Sequence, residues 1–130
     1  MKSIIVAGFM MLVSGLSSAC GLEDAQVIRV DPELEIYYRT DATPISVAEH
    51  FVLQLQICQG GRAAPVQQFK LDANMPMHGH GMNYRPDIVQ LKDGAYRVAG
   101  LMFHMSGNWR VEMSFKLQGD SYKTHFDYLL

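Results

Sequence analysis

The chain has no basic surplus. Lys and Arg number 11 against 13 Asp and Glu, for a formal net charge of −2. With no basic cluster, a nucleic-acid partner is excluded. Also missing are a phosphate-binding glycine loop, a dinucleotide fingerprint and a nucleophile elbow around Ser46 or Ser106. Asp72, Asp87 and Asp93 show no acid–base spacing that singles out a pair. The chain therefore reads as no enzyme, unless a bound copper itself turns over substrate. Cysteine is scarce: 2 residues allow a single internal bridge rather than a disulfide framework. One long apolar run, Ile4 to Val13, stands near the start, and no second follows. Once that run is removed, no segment should cross a membrane. Repeats and low-complexity tails are also lacking.

The N-terminal residues have the pattern of an export signal. Lys2 supplies the positive n-region, the apolar run is short for a bilayer span, and Ser17-Ser18-Ala19 presents small residues before Cys20. A signal peptide over 1–19 leaves one mature domain over 20–130, of roughly 110 residues, enough for its own core. The expected location is the periplasm or another extracytoplasmic space, and the expected state is a monomer. Cys20 has two readings. Leu16-Ser17-Ser18-Ala19-Cys20 is similar to a lipobox, although the leucine lies one position too far from the cysteine, and lipidation there would anchor the protein. The preferred reading is a Cys20–Cys58 disulfide, which an exported compartment permits.

The mature chain is rich in two-residue periodicity. Phe51, Leu53, Leu55 and Ile57 alternate with Val52, Gln54, Gln56 and Cys58, which places Cys58 on the polar face at a strand end. Trp109, Val111, Met113, Phe115 and Leu117 repeat the pattern, and so do Tyr122, Thr124, Phe126 and Tyr128. Val27–Val30, Leu34–Thr40, Val66–Leu71 and Ile88–Leu91 are weaker strands. Asp93-Gly94 marks a hairpin turn. Frequent turn signals and the lack of an amphipathic helix predict an all-β fold, an antiparallel β-sandwich of about seven strands.

One phase change bears on function. Apolar positions are even at Tyr96 and Val98 but odd from Leu101, with Gly100 at the switch, as a β-bulge would produce. This reading sends Phe103 and Met105 into the core and turns Met102 and His104 together to the other side.

The densest chemistry lies at Met75-Pro76-Met77-His78-Gly79-His80-Gly81-Met82. If extended, it projects His78, His80 and Met82 to one side, and Met102 and His104 could join them. Imidazole with thioether favours copper over magnesium or calcium, which take oxygen ligands. The alternative is a structural turn whose methionines fill the end of the sandwich. His50 and His125 read as surface imidazoles.

The segments Asn74–Met82, Asp93-Gly94-Ala95-Tyr96-Arg97-Val98 and Phe103-His104-Met105-Ser106-Gly107-Asn108-Trp109 together resemble the YtkA-like domain family. The likeness covers about Val47 to Leu117. It implies an exported immunoglobulin-like sandwich similar to periplasmic copper carriers and to the FixH proteins of oxidase assembly. It does not supply the metal ligands. In PCuAC-type copper chaperones the His-x-Met pair follows the other ligands, whereas here His80-Gly81-Met82 precedes Met102 and His104. Two functions follow as expectations. The first is a copper carrier that uses His78, His80 and Met82, assisted by Met102 or His104, and delivers to an envelope or inner-membrane partner. The second is a metal-free assembly module of the envelope.

Overall fold

A computed structural model describes residues 19–130, and the predicted signal segment lies outside them except for Ala19. Among the described residues there are ten strands and no helix. They are β1 (Gln26–Arg29), β2 (Leu34–Thr40), β3 (His50–Gln59), β4 (Arg62–Ala63), β5 (Gln67–Met75), β6 (His80–Gly81), β7 (Asp87–Lys92), β8 (Ala95–Met102), β9 (Asn108–Leu117) and β10 (Asp120–Leu129). One sheet runs β1-β2-β3-β8-β7 with β4 on β3, and the other runs β10-β9-β5-β6. All the strand pairs are antiparallel. The expected antiparallel sandwich is present. Its strand number exceeds about seven chiefly because β4 and β6 are two-residue ladders.

The alternation seen in the sequence sets the layers. Phe51, Leu53, Leu55 and Ile57 of β3 and Leu34 and Ile36 of β2 face the odd positions of β9, Trp109 through Leu117, in one buried cluster. Each such side chain contributes about 1.5–3 kcal/mol by leaving water. Aromatic stacks close the two long sides. Tyr38 of β2 lies on Phe126 of β10 with ring centroids 3.9 Å apart. Phe69 of β5 lies on Tyr96 of β8 at 4.1 Å.

Two ends are thereby defined. The first carries the disulfide between Cys20 and Cys58, with Cα atoms 6.0 Å apart. Cys58 does lie on the outer face of β3, as its parity predicts, yet it is 2% exposed because the segment from Cys20 and the short β4 cover it. The disulfide uses the sulfur that a lipid thioether would need. The opposite end, here the rim, gathers the start of β3, the β5–β6 turn, the end of β8 and the start of β9.

The bulge at Gly100 is present. Val98 pairs with Leu53 and Leu101 with Phe51, so Ala99 and Gly100 stand opposite Val52 alone. Gly100 has φ +74°, a left-handed conformation that suits glycine. The bulge delivers Leu101 and Phe103 to the core, each 0% exposed. Met105 is a correction: it is 39% exposed. The strand ends at Met102, so the two-residue period no longer governs Met105.

Candidate functional site

The segment expected to be extended from Met77 to Met82 is instead a hairpin turn. The Met75 carbonyl accepts hydrogen bonds from the backbone N–H groups of His78 (3.1 Å) and Gly79 (3.0 Å). The chain then returns as β6, with His80 opposite Met75 and Gly81 opposite Asn74. Met75 is buried, whereas Met77 at the tip is 82% exposed. His78 and His80 are both exposed. Their ring centroids are 6.3 Å apart, with planes at 35°. Two imidazoles sharing one ion through nitrogen–metal bonds of about 2 Å have centroids roughly 5–6.5 Å apart, depending on the angle at the ion. The observed spacing sits at the open, near-linear end of that range. The turn, rather than strand parity, brings these two rings together.

The other predicted ligands are distributed differently. The Met82 N–H donates to the Ala73 carbonyl at 3.3 Å, and its half-buried side chain packs against the core. It also lines a cleft of about 610 Å³ with Phe69, Tyr84 and Ile88. Met77, beside His78, is the fully presented thioether of this hairpin. Met102 and His104 do not face one way together. Met102 stands opposite His50 across β3 and β8. His104 lies past the end of β8, edge-on to Trp109 of the other sheet at 5.2 Å. The Trp109 indole N–H donates to the Met105 carbonyl at 2.9 Å, which holds this loop against the core.

His104 Nδ1 is buried without a hydrogen-bond partner. Such an orphan costs about 1–3 kcal/mol. Among the described residues no three His, Cys, Asp or Glu side chains converge in a metal-holding group. A metal held here would therefore draw on imidazole pairs and thioethers, the donor set of a soft ion.

His50 is exposed, as the reading of a surface imidazole expects. It heads β3 on the outer face, and its ring meets Tyr84 edge-on at 5.2 Å. Its nearness to Met102 depends on strand pairing, which no local sequence signal encodes.

No known protein-family pattern matches the chain, so the YtkA-like resemblance rests on its three motifs. None of the curated proteins matches it in sequence. Among solved structures, a DUF4426 family protein from Pseudomonas aeruginosa PAO1 superposes with a TM-score of 0.57 at 13% identity, covering 82% of this chain and 94% of that one. The likeness is one of fold alone. The GAE domain of Gga2p from Saccharomyces cerevisiae covers 82% of this chain and 96% of its own, but with a TM-score of 0.39 at 9% identity.

Proposed function

We propose that this protein is an exported, non-enzymatic carrier of a soft metal ion, copper(I) in the first instance, of the YtkA-like type. The observation that supports this most is the exposed His78–His80 pair at 6.3 Å on a rigidly hydrogen-bonded turn. Met77 at the tip offers sulfur, while Met82, Met102 and His104, the other ligands expected from the sequence, stand apart from the pair. A carrier needs soft ligands near the surface and a position open for exchange, and an exposed hairpin gives both. Export is supported by the N-terminal signal pattern and by a disulfide, which belongs to an oxidising compartment. The ion would pass to a periplasmic or membrane partner.

The test is a titration of the signal-free, disulfide-intact protein with Cu(I) under ascorbate against a competing chelator. The expected result is sub-micromolar affinity that weakens at least tenfold in His78→Ala plus His80→Ala. Equal affinity in the double variant overturns the assignment.

A second reading has its own observation. Val47, Met77, Tyr84, Met105 and Leu129 are exposed large hydrophobics, and all lie at the rim. Exposed apolar side chains at one end of a sandwich suit a protein contact. A metal-free assembly module of the envelope would hold its partner equally in wild type and in the double-histidine variant. A carrier would lose metal-dependent capture in that variant.

A further inference from the structure

We propose that His50 and Met102 form a second soft-cation site, separate from the His78–His80 hairpin, on the outer face of the larger sheet. The inference rests on the soft-metal reading above and extends it to a residue pair that the sequence keeps far apart.

The pairing geometry carries the inference. His50 and Met102 are direct partners in the antiparallel β3–β8 ladder. Directly opposed residues project to the same face with Cβ atoms about 4.5–5.5 Å apart. Their neighbours Phe51 and Leu101 are 3% and 0% exposed, so the face shared by His50 and Met102 is the outer one. This arrangement depends on the bulge. Before Gly100 the even positions Tyr96 and Val98 point inward. Without the inserted residue Met102 would follow them into the core. With it, the thioether emerges beside an imidazole.

Tyr84 supplies a third side. Its ring meets His50 edge-on at 5.2 Å, which restricts the imidazole to the side of β3 reached by the β6–β7 connection. A nitrogen and a thioether sulfur beside an aromatic ring suit a monovalent soft ion, Cu(I) or Ag(I), better than a hard divalent one. The chain from Met82 to Tyr84 links the hairpin to this pair, so the two stations share one rim.

Ag(I) is the probe, because it is redox-inert and soft. The full mature protein, labelled at methionine methyl groups and histidine rings, is titrated with Ag(I) and followed by NMR. Shifts of the Met102 methyl and His50 ring signals are expected, both retained in His78→Ala plus His80→Ala. Ag(I) binding at this station should weaken at least tenfold in His50→Ala and in Met102→Leu. Met102 lies on the outer face, so leucine is accommodated there, and dispersed amide signals check the fold of each variant. A Met102 methyl that does not move at saturating Ag(I), or one that moves equally in His50→Ala, overturns the proposal. Shifts confined to His78 and His80 overturn this site and leave the carrier reading standing. Shifts confined to His50 and Met102 uphold this site and overturn the hairpin assignment.

Discussion

Tyr128 shows how burial of a single polar side chain becomes a dependence on pH. It is half-buried near the end of β10, beside Tyr38 and lining a cleft with Thr40 and Ile45. Burial pushes its phenol up to about 12, and the nearby Tyr38 adds to the shift while a hydrogen bond with Thr40 opposes it. The folded state therefore favours the neutral phenol. Its contribution to stability is complete below the ordinary tyrosine value of about 10. It is lost as pH rises through about 12. Thermal midpoints measured from pH 9 upward should fall over that window in the wild type, and Tyr128→Phe should flatten the fall. Absorbance at the tyrosinate band should show its latest-titrating component lost in the variant. His104 is a contrasting residue: its orphan Nδ1 is a polar group that burial has left without a partner.

At the scale of elements, two glycines separate conformational cost from steric cost. Gly94, in the β7–β8 turn, has φ +68°, and its carbonyl accepts from the Ile57 N–H at 2.8 Å. A Cβ there would lie 2.5 Å from the Ile57 carbonyl oxygen and 2.8 Å from that of Ala64. Gly100, in the bulge, has a similar φ of +74°, but its Cβ would make ordinary contacts, with the Arg85 carbonyl at 3.6 Å and the Asp87 nitrogen at 4.0 Å. Gly100→Ala should therefore cost about 1–2 kcal/mol, the left-handed penalty alone. Gly94→Ala adds a backbone clash and should cost about 3 kcal/mol or more. Urea midpoints of the two variants check the order.

Much at this level was legible in the sequence. Leu34–Thr40 is a strand with the bounds its pattern predicts, and β9 starts one residue before Trp109. The bulge at Gly100 was visible because a change of parity is a local signal. What escaped was non-local. The two-residue ladders β4 and β6 exist only through their partners, and the meeting of His50 with Met102 is a matter of register between strands distant in sequence. The hairpin at Met75–Gly81 was hidden for another reason. Its backbone hydrogen bonds to the Met75 carbonyl outweigh the alternation that an extended reading assumed.

For the whole molecule, the distance between the two ends matters most. The disulfide closes a sequence separation of 38 residues. On the chain-entropy account, a loop of that length contributes about 3–4 kcal/mol. Replacing both cysteines with serine should lower stability by about 2–4 kcal/mol in urea unfolding. The Cu(I) affinity proposed for the rim should stay within about twofold at temperatures where the variant is folded, because rim and disulfide occupy opposite ends. A large loss of affinity in the folded variant would show instead that the ends are coupled.

That polarity gives the molecule a built-in handle. Cys20 is clamped to β3 of the larger sheet, at the pole away from the histidines. A tag, dye or biosensor linkage placed upstream of Cys20 would thus hold the molecule by its base, with the imidazoles and exposed methionine pointing into the flow.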